Sequence, residues 1–158
     1  MKKIVFVAIA LVVYTATSAQ VDKNALGLRL GGGNFSGGEL SYQLGVSNVN
    51  RFEFDAGFNF NDFYDALGLT ATYQWVWDIG TEGLNWYAGP GAGLSMFSGK
   101  KGYGNYTGIS VGGQVGLGYN FRVPVQLTLD TRPMWALSAK DGVDAFGWGI
   151  ALGVRYRF

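Results

Sequence analysis

Large apolar residues alternate with small or polar residues along most of the chain. The clearest case is the last segment, AFGWGIALGVRYRF (145–158), in which every second residue from Phe146 to Phe158 is large and apolar. The residues between them are glycine, alanine and arginine. A period of two is the pattern of a β-strand whose two faces meet different surroundings. The helical period does not occur after Ala19, so the sequence predicts strands throughout.

Eight segments carry this alternation, and polar or glycine-rich connections separate them. Tight turns at 47–50, at 80–83 and around Pro124 alternate with longer connections. With an even number of antiparallel strands, all the tight turns then lie on one rim of the barrel and all the longer connections lie on the other. Eight antiparallel strands can close into a barrel, which leaves no strand edge unpaired. The predicted strands are 25–32, 38–46, 51–60, 66–79, 84–97, 106–121, 125–137 and 145–158.

The two faces of these strands differ in bulk. In the third segment Phe52, Phe54 and Phe58 lie on one face, and Glu53 and Asp55 lie on the other. An eight-stranded barrel has an interior only wide enough for side chains or one small ligand, so the bulky face must point outward. The sequence therefore predicts an all-β, eight-stranded antiparallel up-and-down transmembrane β-barrel with its apolar belt in lipid. A soluble lipocalin-like barrel, with the apolar face inward, is the alternative.

Charged residues on the small-residue face are balanced in sign. Ionised groups inside a protein need partners, so we expect a ladder of arginine–carboxylate pairs that plugs the tube. Three of these residues lie near strand ends and are expected at the rims, in water: Arg51, Asp78 and Arg157. The full set is Arg29, Arg51, Arg132, Arg155 and Arg157 against Glu39, Glu53, Asp55, Asp78 and Asp130.

Aromatic residues concentrate toward the predicted strand ends. Such positions are typical of the aromatic girdles that flank the apolar band of a membrane barrel. The tight-turn side carries Phe52, Trp75, Trp77, Trp86, Tyr119, Phe121, Tyr156 and Phe158, and the long-loop side carries Phe60, Trp135, Phe146 and Trp148.

Two prolines fall inside predicted strands, Pro90 and Pro133. Proline cannot donate a ladder hydrogen bond, and a closed barrel has no edge strand to place it on. Each proline is therefore expected to mark a β-bulge or a strand tip.

The first residues have the pattern of a secretory signal peptide. A positive start at Lys2 and Lys3 precedes an apolar run (4–14) and then small residues up to Ala19. The run is shorter than the roughly 20 residues that a membrane-spanning helix needs. We therefore expect a signal peptide at 1–19, export through the Sec pathway, and a single barrel domain at 20–158.

Composition limits the chemistry. The chain has 158 residues, a net charge of +1, no cysteine and no histidine. Thiolate metal sites and disulfides are therefore excluded, no basic patch suggests nucleic acid, and the usual general base for a serine nucleophile is missing. The sequence predicts no enzyme and no catalytic, cofactor-binding or metal-ligating residue, although carboxylate-only catalysis stays open.

Several side chains with possible chemistry have simpler interpretations. Three serines (Ser41, Ser95 and Ser110) are read as small lumen residues. The acidic pairs Asp62/Asp65 and Asp141/Asp144 are read as solvated loop charges, because they lack the dense oxygen ligands of a calcium loop. Three loop lysines could contact lipopolysaccharide phosphates or simply keep the rim soluble: Lys100, Lys101 and Lys140.

With its signal peptide, its eight alternating strands and the ending VRYRF, the chain resembles the small eight-stranded outer-membrane barrels of Gram-negative bacteria. That family includes outer membrane protein X and the OmpA barrel domain. The segments WYAGPGAGLS and LDTRPMW resemble barrels of Bacteroidota. The resemblance implies insertion by the barrel-assembly machinery, which reads a terminal aromatic such as Phe158.

The expected function is that of a monomeric outer-membrane protein with a plugged polar lumen and a structural or surface-interaction role. Its expected partners are outer-membrane lipid and lipopolysaccharide. A narrow channel for ions or small solutes is the second hypothesis, and a secreted lipocalin-like binder is the third. Wide water-filled lumens need about 16 strands, which favours the first hypothesis over the second.

Overall fold

A computed structural model describes residues 21–31, 37–60, 62, 64–99, 104–137 and 145–158. The predicted signal peptide (1–19) lies outside this range. None of the described residues belongs to a helix with the length and hydropathy of a membrane span. The strands are β1 (Asn24–Gly31), β2 (Gly37–Gly45), β3 (Asn50–Phe60), β4 (Tyr64–Asp78), β5 (Leu84–Gly99), β6 (Tyr106–Asn120), β7 (Val125–Thr131), β8 (Met134–Ala136), β9 (Phe146–Gly147) and β10 (Ile150–Arg157).

The strands form one closed antiparallel sheet. Each of β1 to β6 pairs with the next strand in the chain, and β6 pairs with both β7 and β8. β7 and β8 are two parts of the seventh barrel strand, and β9 and β10 are two parts of the eighth. β10 then pairs with β1, with Val154 opposite Leu28, which closes the barrel. The predicted all-β, eight-stranded antiparallel barrel is confirmed.

The structure corrects the expectation for the two prolines. Pro133 lies between β7 and β8, but Thr131 pairs with Val115 and Met134 with Gly112, so the register against β6 is the same on both sides. Pro90 lies inside β5, where it is the partner of Gly113. Neither proline inserts a residue or ends a barrel strand. The neighbouring strands hold the register on both sides, so each proline interrupts pairing locally without a bulge.

The apolar face points outward. Along β1 the exposed fraction alternates between 56% at Leu28, 4% at Arg29 and 56% at Leu30. All the large apolar residues of β10 are likewise exposed, whereas Arg155 is buried. Such exposure of apolar side chains, with charged ones enclosed, is the arrangement of a membrane barrel and the reverse of a lipocalin-like barrel. The predicted orientation is confirmed, and the soluble alternative is wrong for this fold.

Aromatic rings pair at both ends of the barrel. On the tight-turn side Trp77 stacks on Trp86 with ring centroids 4.3 Å apart, and Tyr119 contacts Phe121 edge to face at 4.8 Å. On the other side Trp135 and Phe146 lie 4.6 Å apart. Aromatic belts of this kind mark the two membrane interfaces.

The connections follow the predicted alternation with one exception. Gly80 and Gly83, with φ of 77° and 80°, shape the tight turn between β4 and β5. The connection between β3 and β4, expected to be long, spans only 61–63, because Phe60 and Asp65 still pair. Much of the other predicted long connections lies outside the described residues.

Candidate functional site

Buried charges fill the middle of the barrel. We call the set of Arg29, Arg132 and Arg155 with Glu39, Glu53, Asp55 and Asp130 the lumen network. Each member is less than 8% exposed, and all of them come from the small-residue face of their strands. Strand pairing places Arg29 directly opposite Glu39, and the barrel's closure brings β7 close to β1 through β10. The network therefore follows from the alternation of faces and from closure together.

Arg29 bridges two carboxylates from different strands. Its Nη1 lies 2.5 Å from Glu39 Oε2. Its Nη2 and Nε both donate to Asp130 Oδ1, at 2.6 Å and 3.1 Å, and Nε also lies 3.4 Å from Oδ2. The two donors therefore converge mainly on one carboxylate oxygen, and the parallel bidentate geometry expected of arginine is not formed. Tyr87 donates a further hydrogen bond from its hydroxyl to Asp130 Oδ2 at 3.2 Å.

Arg132 and Glu53 connect the rest of the lumen network. Arg132 Nη1 lies 3.5 Å from Glu39 Oε2, and its Nη2 lies 3.4 Å from Glu53 Oε1 and also contacts Asp55. Glu53, whose side chain is fully buried, also lies 3.0 Å from Arg155 Nη2. Because each arginine shares a carboxylate with another arginine, the predicted ladder of ion pairs is confirmed as a connected network.

Neutral side chains complete the hydrogen bonding around Arg155. Its Nε and Nη2 donate to Ser41 Oγ at 2.9 Å and 2.8 Å, and its Nη1 donates to Thr128 Oγ1 at 2.9 Å. Gly153 faces the same space, and a Cβ there would lie 2.8 Å from Arg155 Nη1. The small residues of the inner face therefore make room for the guanidinium groups.

Glutamines form a second layer toward the tight turns. Gln43 Nε2 donates to Glu53 Oε2 at 2.6 Å, and Gln114 Nε2 donates to Glu53 Oε1 at 2.9 Å. Gln74 Nε2 in turn donates to Gln114 Oε1 at 3.1 Å. Glu53 therefore accepts from two amides in addition to its contacts with two arginines.

Arg51 was expected at the rim, in water, and the structure contradicts this. It is 3% exposed, its Nε donates to Gln74 Oε1 at 2.6 Å, and its guanidinium carbon lies 4.6 Å from the centre of the Tyr87 ring. The reason is that neighbouring β4 continues past Gln74 as far as Asp78, so the wall on that side extends beyond Arg51. Counted with Arg51, the described residues place four arginines and four carboxylates in the buried lumen.

The other two rim residues lie where they were predicted. Asp78 ends β4 and is half-buried at the tight-turn mouth. Arg157 donates to Asp22 Oδ2 at 2.9 Å and to the backbone carbonyl oxygen of Phe121 at 2.6 Å. Asp22 was missed as a partner because it precedes the first predicted strand.

Three large lumen side chains were missed by the sequence analysis: Val76, Tyr87 and Met134. All are at most 3% exposed. Alternation along the strand could have predicted their inward position. Tyr87 follows outward-facing Trp86, and Met134 lies two residues after inward-facing Arg132. Gly116 makes room for the phenol, since a Cβ there would lie 2.6 Å from Tyr87 Oη.

The arrangement holds buried charges in place through ion pairs and hydrogen bonds. Ser41 accepts hydrogen bonds from Arg155, and Ser110 is buried on the lumen face, in line with their interpretation as small lumen residues. Among the described residues no group of three or more acidic side chains could hold a metal ion. Five of the loop residues considered above lie outside the described part of the chain: Lys100, Lys101, Lys140, Asp141 and Asp144.

Solved structures with the same architecture match the chain over most of its length. Neisserial surface protein A (NspA) superposes with a TM-score of 0.61 at 18% identity, covering 85% of this chain and 96% of that one. The N-terminal β-barrel domain of Pseudomonas aeruginosa OprF superposes with a TM-score of 0.62 at 14% identity, covering 87% of this chain and 100% of that domain. The chain has the fold of the small eight-stranded outer-membrane barrels.

Comparison of the sequence with known families and curated proteins gives no further assignment. No protein-family model matches the chain, and no curated protein matches it significantly. At identities below one fifth the two barrels show the fold alone. The resemblance to Bacteroidota barrels is untested by these matches and stays a prediction.

Proposed function

We propose that the protein is an integral protein of the Gram-negative outer membrane, with a closed lumen and a structural or surface-interaction role without turnover. The observation that carries this proposal is the combination of an outward apolar face with the interconnected lumen network, whose four carboxylates are balanced in charge by its three arginines together with buried Arg51. The network spans the bore, since Arg132, which directly follows β7, contacts Glu53 and Asp55 of β3, four strands away around the barrel wall. An eight-stranded barrel leaves little other space, so we expect the described side chains to leave no continuous water path for ions.

The fold also supports an orientation in the membrane. Outer-membrane barrels carry short turns on the periplasmic side and longer loops outside. The three tight turns and both ends of the barrel domain lie on one rim, which we assign to the periplasm. The opposite rim is then the surface that would meet lipopolysaccharide. The sequence predicts Lys100, Lys101 and Lys140 for the connections on that rim, and they lie outside the described residues.

Biogenesis follows from the same proposal. A Sec-dependent signal peptide at 1–19 would deliver the chain to the periplasm, and the barrel-assembly machinery would insert it. Phe158 is 62% exposed and lies next to β1, where its backbone amide donates to Asn24 at 2.9 Å. Phe158 is thus accessible beside the seam between β10 and β1, and the described strands of one chain close the barrel, in line with a monomer.

Planar-bilayer recording of the membrane-purified protein tests the closed lumen. The wild-type protein should give no steady single-channel steps, whereas an open porin in the same bilayer gives large ones. A double variant, Glu53→Ala with Arg132→Ala, removes the side chains that connect the network and should raise the leak conductance. Steady steps from the folded wild-type protein would overturn the closed-lumen proposal in favour of a narrow channel.

Outer-membrane fractionation and heat-modifiability test the location. The protein should require detergent for extraction and should migrate differently on a gel before and after boiling. Recovery in the periplasm or medium without detergent would contradict a lipid-embedded barrel.

A further inference from the structure

The residues that precede β1 lie over the tight-turn mouth of the barrel. Val21 donates a hydrogen bond from its backbone amide to the carbonyl oxygen of Asn48 at 2.9 Å, in the turn between β2 and β3. Its side chain packs against the buried cluster of Val76 and Tyr87, which belong to β4 and β5. Residue 21 is therefore anchored at the mouth through both its backbone and its side chain.

A cavity of about 420 Å³ opens beside Val21 at this mouth. Val21 and Val76 both line the cavity, and Asp78 lines it two residues farther along β4, where that strand ends. The turn at 80–83 contributes another part of the wall. The volume is within the range of small-molecule sites in proteins, so the cavity has room for one further residue next to Val21.

Three carboxylates line the cavity, and two of them already have cationic partners. Asp22 and Glu82 each pair with an arginine, at 2.9 Å and 3.2 Å. The carboxylate of half-buried Asp78 makes no hydrogen bond or ion pair with a described residue. Arg51 also lines the cavity, but it is only 3% exposed and its guanidinium lies against the Tyr87 ring. Asp78 is therefore the carboxylate of this wall that is still open to a cation.

The cleavage predicted after Ala19 would create a cation next to this carboxylate. Hydrolysis of the peptide bond between Ala19 and Gln20 consumes one water molecule, and it leaves a carboxylate on the released leader and an ammonium group on Gln20. An α-amino group is largely protonated at neutral pH. Gln20 itself lies outside the described residues, one peptide bond before the anchored Val21.

The distance from Val21 to Asp78 suits a single residue. Consecutive Cα atoms are about 3.8 Å apart, and two residues along a strand span about 7 Å. Because Val21 packs against the cluster that contains Val76, an amino group on the residue before it lies within reach of the Asp78 carboxylate. Tethering gives this group an effective concentration on the order of millimolar, which favours it over dilute soluble cations.

We propose that the mature amino terminus docks in this cavity, with the ammonium group of Gln20 paired to the carboxylate of Asp78. The inference rests on the proposed function, because it requires export and removal of the leader. In the precursor, residue 20 carries an uncharged peptide N–H, and the leader has to leave through the same mouth. Processing of the chain therefore creates the contact and covers the periplasmic mouth with the chain's own end.

Carbodiimide cross-linking of the protein purified from outer membranes tests the contact. The reagent joins an amine to a carboxylate and takes up the water that is released, so that it becomes a urea. Mass spectrometry of the digested wild-type protein should show the Gln20 amine linked to Asp78, and the link should be absent from Asp78→Asn. Glu82→Gln, which changes another carboxylate of the same wall, is the matched control and should keep the link.

The rate at which an acylating reagent modifies the α-amine at neutral pH gives a second readout. Lysine side chains are more basic, so the α-amine reacts first. Ion pairing lowers the share of neutral, reactive amine, so Asp78→Asn should raise this rate at least about twofold, whereas Glu82→Gln should leave it unchanged. A shift in migration on boiling shows that each variant is folded.

Several results would overturn the proposal. They are a Gln20 link to Asp22 or Glu82 in place of Asp78, no link at all, and equal acylation rates in wild type and Asp78→Asn. A mature chain that starts at another residue would also overturn it, as would a Gln20 amine that has cyclised onto its own side chain with loss of ammonia. All of these leave a folded barrel in the outer membrane, whereas absence from that membrane would contradict the proposed function, so the two failures are distinguishable.

Discussion

Removing the charge of Glu53 should destabilise the barrel strongly. Glu53→Gln keeps the shape of the side chain but takes the negative charge from a group that contacts Arg155 at 3.0 Å and Arg132 at 3.4 Å. It also places an amide NH₂ against donors, because Gln43 and Gln114 both donate to Glu53. Arg155 then has no carboxylate within 4 Å among the described residues.

The size of the effect follows from burial. Breaking a buried ion pair by removing one partner costs about 3–5 kcal/mol, since the remaining charge is left desolvated. We therefore expect Glu53→Gln to lower the free energy of unfolding by about 3–5 kcal/mol. The matched control is Glu82→Gln at the solvated rim, where the pair with Arg122 is 78–88% exposed and should contribute about 0.5 kcal/mol or less.

Urea unfolding in lipid vesicles, followed by tryptophan fluorescence, measures this difference. Adding Arg155→Met to Glu53→Gln should cost less than the sum of the two single changes by about 1–3 kcal/mol, because the second change removes the unpaired charge. A Glu53→Gln effect no larger than that of Glu82→Gln, or strict additivity in the double variant, would refute the reasoning.

Three further predictions use the same unfolding assay. Leu28→Arg, on the lipid face of β1, should lower the free energy of unfolding by about 2–4 kcal/mol. Val123→Arg, in a tight turn, should lower it by about 1 kcal/mol or less. Equal effects of the two changes would contradict the outward position of Leu28. Tyr87→Phe should cost about 1–2 kcal/mol through loss of its hydrogen bond to Asp130, and a neutral result would show that this bond is not formed. Gly89→Ala should prevent stable folding, because its Cβ would overlap the backbone carbonyl of Tyr73, while Gly104→Ala should be neutral; a stable Gly89→Ala barrel would contradict the close strand approach there.

Alternation along single strands was enough to predict the orientation of the barrel. At Leu28, Arg29 and Leu30 the sequence places arginine between two leucines, and volume alone decides which face fits a narrow bore. The equal numbers of arginines and carboxylates on the inner face could also be predicted from the sequence. The same parity would have placed Tyr87 and Met134 inside, had it been applied to every position.

The contacts between side chains on different strands could not be predicted from the alternation. Which carboxylate meets Arg29 depends on the stagger of eight strands, and Asp130 reaches it only through closure of β10 on β1. The error at Arg51 has the same cause, because height in a tilted barrel depends on how far the neighbouring strand extends. The prolines likewise kept their register because neighbouring strands set it. The local sequence therefore predicts which face of a strand a side chain lies on, and the closed sheet determines which lumen side chains it contacts.

Quenching of the native tryptophans tests the central claim most directly. The chain has five tryptophans, and all of them lie on the outer face. Trp75, Trp135 and Trp148 are 42–64% exposed, whereas Trp77 and Trp86, which stack on each other, are half-buried. In vesicles of phospholipid brominated on its acyl chains, their fluorescence should be quenched strongly, while aqueous acrylamide should have little effect. Fluorescence that resists the brominated lipid would place the tryptophans inside the barrel and contradict the account.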